Sequence, residues 1–281
     1  MDYEKSALMF KSKDFHKYVP ETIREFIDEV EPDVLEAHID RVMTSPIKYI
    51  NSFDRPLYQL YFTASWYNLF KTLHEDQKIS LLEVATGDSC YVINALELHS
   101  SEKGEYTTFN LNKKLGSSFI TKNADKNVKI TLIEDNGINV LNYFSVNSFD
   151  FIAFHHAIND IIQTIIAETE GIDTINCDWW VQEPDMLRAV MKHHKNGTLK
   201  QNAHGSFIKI IDVCSKVLKH GGYMIFDNRT FAVKEEIGYS TQFHDSYIAL
   251  AREWINESGL PLKETVIDGY DSKWWMILKK V

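Results

Sequence analysis

Several polar residues stand where an apolar run of the chain stops, and such positions can carry chemistry. Glu83 closes Ile79-Ser80-Leu81-Leu82, Asn110 ends the run 106–109, and Asp135 follows 128–133. His155 and His156 follow Phe149-Asp150-Phe151-Ile152-Ala153-Phe154, and Asp227 follows Tyr223-Met224-Ile225-Phe226. Carboxylates and amides so placed can hold a ligand's amine, hydroxyl or ring nitrogens. A histidine titrates near neutral pH and suits a proton acceptor. Adjacent residues at a strand end point in different directions. One of the pair is therefore expected to face a cleft, and His155 is the first choice, with His156 beside it. After Glu83 comes Ala85-Thr86-Gly87-Asp88-Ser89, a run of small residues, and then an apolar stretch from Tyr91. A strand feeding a tight turn into a helix brings backbone N–H groups and a helix N-terminus to a ligand. Each residue also has a plain reading: solvated strand-end acids, a turn asparagine, and a structural histidine pair with one ring packed and one at the surface.

The elements that would position these groups alternate. Residues 1–75 are expected to be mostly helical, with helical apolar spacing in 20–30 and 33–43 and many aromatics in 57–73. That aromatic stripe reads as core, or as a lid over a ligand, and a lid helix can serve both. From 79 onward, strand candidates at 79–84, 106–111, 128–135, 149–156 and 223–227 are separated by helix candidates. The helix 206–218 is expected to be capped by Gly221. After a helix at 244–258, strands at 262–267 and 274–279 form a tight-turned antiparallel pair. This pattern predicts an α/β fold, a doubly wound, mostly parallel sheet with a reversed last strand. About fifty residues between the fourth strand and the next helix are too many for an ordinary crossover, so a helical insertion is expected at about 160–205. The expected organisation is a helical N-terminal cap over 1–75 and a ligand-binding domain over 76–281.

Strand, acid, small-residue loop and helix resemble the first motif of the class I (Rossmann-like) S-adenosylmethionine (SAM) methyltransferases. That motif has an acid, one residue, then Gly-x-Gly-x-Gly; here the glycine positions hold Ala85, Gly87 and Ser89. The resemblance implies a seven-stranded sheet and SAM as cofactor. Glu83 and Ala85, Thr86, Gly87 and Ser89 would hold its methionine and ribose portion. Asn110 stands where the family commonly has a ribose-binding acid. Asp135 would accept from the adenine amino group, with the Asn136 backbone beside it, and Phe154 would line the methyl-donor side. Leu218-Lys219-His220-Gly221-Gly222 resembles the helix-to-fifth-strand signature.

Trp66, Tyr67 and Trp179 are expected to wall an apolar, aromatic or cationic acceptor; packing of the insertion is the plain alternative. Asp227-Asn228 with His155 resembles the metal set of cation-dependent O-methyltransferases, but a strand-end Asp-Asn is more often a turn, and no metal is assigned. His193-His194 reads as a solvated loop pair and 168–173 as a surface turn. The formal net charge is −10, which argues against sequence-independent nucleic-acid binding. Three scattered cysteines, Cys90, Cys177 and Cys214, suit a reducing cytoplasm rather than a disulfide framework. No signal peptide and no run of about 20 apolar residues for a membrane span is seen. The expectation is therefore SAM-dependent O- or N-methylation of a small-molecule acceptor in the cytoplasm, with a homodimer left open. Its rivals are a nicotinamide (NAD) oxidoreductase on a Rossmann sheet and a non-catalytic scaffold that keeps the fold.

Overall fold

In the computed structural model, residues 1–76, 78–100, 104–229 and 234–281 are described. The N-terminal helices are α1 (Tyr3–Phe10), α2 (Lys13–His16), α3 (Glu21–Glu29), α4 (Pro32–Thr44) and α5 (Asp54–Leu73). The alternating part follows as β1 (Ser80–Val84), α6 (Tyr91–Ser100), β2 (Glu105–Phe109), α7 (Lys113–Lys122), β3 (Lys129–Ile133) and β4 (Phe149–His155). Next come α8 (Ala157–Thr169), α9 (Trp179–Lys195), α10 (Leu199–Val217), β5 (Leu218–Asp227), α11 (Thr241–His244), α12 (Tyr247–Ser258), β6 (Leu262–Glu264) and β7 (Trp275–Lys280). The seven-stranded sheet has the order β3-β2-β1-β4-β5-β7-β6. Strands β1 to β5 are parallel, and β7 runs antiparallel to both β5 and β6. This is the mostly parallel, doubly wound sheet with a reversed last strand that the sequence predicts.

Side chains alternate across the strands, so the sheet carries a core on each face. Leu81, Phe151, Ala153, Ile225 and Ile277 pack against the N-terminal helices and α6. Leu82, Ile152, Phe154, Met224 and Met276 pack against α8, α9, α10 and α12. The cap and the sheet thus share one apolar core. Helix α5 is buried nearly all round, from Leu57 to Phe70, as a helix apolar on every side must be. It is a covering layer of the sheet, and its N-terminal end reaches the sheet's C-terminal rim.

Several local expectations are corrected. The helix before β5 begins at Leu199, so within the expected insertion α9 is a complete extra helix and α10 is the crossover. Helix α10 stops at Val217, and Gly221 (φ +75°) sits inside β5. There the pairing with β4 shifts register between Phe149 and Phe151. Gly221 therefore serves a bulge, where a left-handed backbone is needed, and not a helix cap. His193 lies in α9, not in a loop; it is buried and placed 2.9 Å from both Glu170 and Thr198. All three cysteines are free. Among the described residues no helix is long and apolar enough to cross a membrane.

Candidate functional site

The strand order reverses between β1 and β4, which is where open α/β sheets bind ligands, beyond the strand C-termini. The turn after β1 is held from several sides. Ala85 N donates to Phe109 O at 2.9 Å, Ser89 N to Thr86 O at 3.1 Å, and Asn110 Nδ2 to Gly87 O at 2.6 Å. Ala85 (φ +58°) and Gly87 (φ +59°) both adopt the left-handed conformation. A Cβ added at Gly87 would meet only Leu115, at 3.9 Å, so its backbone and not crowding asks for glycine. Ala85 tolerates its conformation at a cost of about 1–2 kcal/mol. Ala85→Gly is therefore expected to stabilise the fold by up to about 1 kcal/mol once glycine's larger unfolded-state entropy is counted. Thermal unfolding would check this; a lower midpoint would mean the strain is absent.

Glu83 does not face the rim. It is 1% exposed and accepts from the Tyr106 hydroxyl, which lies 3.2 Å from Thr86 Oγ1. Burial lifts its carboxyl to about 7, against the opposing influence of His155 and the Tyr106 hydrogen bond. Glu83 thus anchors the loop from beneath. Phe154 is also turned away, stacked on Phe226 in the opposite core at a centroid distance of 4.5 Å. Trp66 is fully buried, and its Nε1 donates to Asp227 Oδ2 at 2.8 Å. Tyr67 packs edge-on against Phe15, away from the rim. Periodicity places these side chains on elements but does not say which face meets the ligand.

The histidine pair stands at the end of β4, where both rings border the groove over the Thr86–Tyr91 loop and His156 also borders the cavity beside α8. His155 is 4% exposed, and its Nδ1 lies 2.8 Å from Asp227 Oδ2. Burial alone would lower its pKa, but the Asp227 charge and hydrogen bond outweigh it, and the value is raised. His156 stacks on His155 at 4.2 Å with its Nε2 3.3 Å from Asp227 Oδ1. Burial, then the neighbouring His155 and His244, hold His156 well below the usual histidine range. His156 has φ +48°, a strained conformation for a non-glycine residue, of the kind found at functional sites. It borders two cavities and is the neutral histidine of the pair. The ligand atoms of His155, His156 and Asp227 lie within 4.8 Å of one another. Asn228, the remaining member of the metal reading, turns its amide toward His244 at 3.5 Å instead.

Three hollows meet at this rim. A slot of about 80 Å³ is lined by Ala85, Gly87, Asn110, Asp135, Asn136 and Trp179, among others. A groove of about 630 Å³ runs over the Thr86–Tyr91 loop to His155 and His156. A third cavity, of about 360 Å³, lies between the start of α5, α8 and α9, with His156, Asp160 and Trp179 in its wall. Asp160 and Trp179 border all three. Sequence reasoning missed Asp160. The signal was there, because Asn159, Asp160 and Gln163 interrupt an otherwise apolar helix directly after β4. Burial and the charge of Glu183 push the Asp160 carboxyl up to about 8.

Asp135 accepts from Asn136 N at 2.7 Å, Asn139 Nδ2 at 2.9 Å and the Tyr143 hydroxyl at 2.9 Å. Those hydrogen bonds, Asn139's first, hold its carboxyl below the usual range. A charged acceptor is thus fixed at the slot's edge.

No family model matches the chain, and no curated protein does. Solved structures with a similar chain path include a SAM-dependent methyltransferase of Leishmania major, 13% identical with a TM-score of 0.43, covering 86% of this chain and 80% of that one. Another is a SAM-dependent methyltransferase from Aquifex aeolicus, 15% identical with a TM-score of 0.39, covering 76% of this chain and 87% of that one. A third is precorrin-6y C5,15-methyltransferase from Geobacter metallireducens, 12% identical with a TM-score of 0.40, covering 84% and 92%. At these identities and scores, the reading of the site rests on this chain's own residues.

Proposed function

We propose that the chain binds SAM at the β1–β2–β3 rim and transfers its methyl group to a small molecule held in the cavity between α5, α8 and α9. The observation that carries this is the meeting of the three hollows, with Asp160 and Trp179 common to all. A flat base suits a narrow slot with a fixed acceptor, Asp135, at its edge and Asn110 at the neighbouring strand end. The Ala85–Ser89 loop offers backbone groups to the ribose and methionine portion, and Ser89 Oγ there is buried without a hydrogen-bond partner. Asn110 can bind a hydroxyl but lacks a carboxylate's charge-assisted strength.

Bound SAM supplies an electrophilic methyl on a positively charged sulfur. The protein's part is to align the acceptor and exclude water. His156, which is neutral at pH 7, borders the acceptor cavity and can take a proton; Asp160 beside it can do so once a cation in the cavity favours its carboxylate form. A small acceptor is favoured because the cavity is walled by α5, α8 and α9, and because the net charge of −10 disfavours phosphate backbones.

Calorimetry of the protein with SAM and, separately, with NAD tests the reading. Saturable SAM binding is expected. NAD binding alone would favour the oxidoreductase, and binding of neither would leave a scaffold. Asp135→Ala is expected to weaken SAM by roughly tenfold, the loss of about one hydrogen bond to a charged acceptor. Unchanged affinity in that variant would remove Asp135 from the adenine site.

A further inference from the structure

The α8 wall of the acceptor cavity is one-sided in its hydrogen bonding. Three polar residues of α8 line the cavity, Asn159, Asp160 and Gln163. Asn159 spends its Nδ2 on Asp160 Oδ1, and its own Oδ1 is buried with no donor. Gln163 is 2% exposed, and its Oε1 also has no donor. Asp160 has no cationic partner among the described residues. The neighbouring carboxylate, Glu183, is paired with Lys234, and the cation Arg55, itself exposed, also lines the cavity. The rest of the wall is largely aromatic, including Tyr58, Tyr91, Trp179 and Tyr239. Buried acceptors are costly unless a donor meets them, and aromatic walls with a carboxylate favour a cation.

We propose that this cavity binds a cationic amine through Asp160, Asn159 Oδ1 and Gln163 Oε1, and that the amine nitrogen is the methyl acceptor. The second half rests on the methyl-transfer reading above. The ammonium gives one proton to Asp160, and its freed lone pair attacks the methyl carbon. The carbon–sulfur bond breaks with its electron pair left on sulfur, giving an N-methylammonium and a neutral thioether. In the empty cavity burial and Glu183 favour the neutral acid, and an entering ammonium favours the carboxylate that then accepts this proton.

The test is titration of the protein, saturated with S-adenosylhomocysteine, with matched probes: benzylamine, 2-phenylethylamine and hexylamine, each beside its alcohol and carboxylate counterparts. At least one amine is expected to bind tenfold or more tightly than both counterparts. Asp160→Asn and Gln163→Met should each weaken that amine at least fivefold, while Gln163→Met retains S-adenosylhomocysteine affinity, which also reports that it folds. An alcohol or carboxylate that matches or exceeds its amine in every set overturns the proposal. Amine selectivity indifferent to both substitutions overturns the placement on α8. If S-adenosylhomocysteine itself does not bind, the methyl-transfer reading fails and the acceptor role with it, and an amine that still binds would mark a site of another kind.

Discussion

Asp227→Leu is expected to destabilise the protein by about 3–5 kcal/mol, because breaking a buried charged network strands its partners. Asp227 is fully buried and holds two groups, Trp66 Nε1 and His155 Nδ1, each at 2.8 Å, while His156 Nε2 lies 3.3 Å from Oδ1 without a hydrogen bond. It thereby ties α5 to the ends of β4 and β5 under the candidate site. Leucine has similar bulk and fills the space, so the loss would report the stranded indole and imidazole groups and not a cavity. Urea unfolding at pH 7 measures it, and a loss below about 1 kcal/mol would mean that water or rearrangement satisfies them. The network also gives a pH dependence. His155 has a raised folded-state pKa. Its contribution is therefore fully present below the unfolded histidine value of about 6.5 and is lost as pH rises through the raised folded value. Asp227→Leu should remove this part of the pH profile along with the stability.

Glu83→Gln should act in the opposite direction at alkaline pH. The carboxyl of Glu83 is lifted by burial from 4.5 to about 7. A raised acid binds its proton more tightly in the folded state. Its stabilisation is complete below the unfolded value and falls as pH rises through the folded one. The span of about 2.5 units corresponds to roughly 3 kcal/mol lost between about pH 4 and 8. Glutamine keeps an acceptor for the Tyr106 hydroxyl and never ionises. The variant is thus expected to match the parent near pH 4 and to exceed it by up to about 3 kcal/mol at pH 8. Denaturant midpoints at both pH values decide the matter; parallel profiles would mean that Glu83 is solvated. Since Glu83 anchors the loop and does not line it, SAM affinity in this variant should change less than in Asp135→Ala.

Both effects follow from a division between what is local in the chain and what is not. Alternating apolar runs and helical spacings are local, and they placed β1 to β5, the turn at Ala85–Ser89 and the antiparallel β6–β7 pair, though β6 stops at Glu264 and a longer connection replaces the expected tight turn. The strand ends followed, and with them Asn110 and Asp135, because a polar residue after an apolar run marks an edge in any packing. The direction of a side chain at that edge is not local. Whether His155 or His156 meets the cavity depends on the β4–β5 register, which sets His155 opposite Asp227, and on the left-handed turn at His156. Trp66 looked like a wall of the site because aromatic spacing cannot tell a helix covering a sheet from a lid over a ligand. Only the buried Asp227 opposite its indole decides between them. Gly221 reads the same in sequence at a helix end or in a bulge, and the jump in pairing beside it fixes which. The cavity beside His156 needs α5 together with α8 and α9, which lie about a hundred residues further along the chain. The chain alone thus determined a sheet with a polar-tipped rim; tertiary packing decided which residues reach it, since burial and pairing partners are properties of the assembled layers.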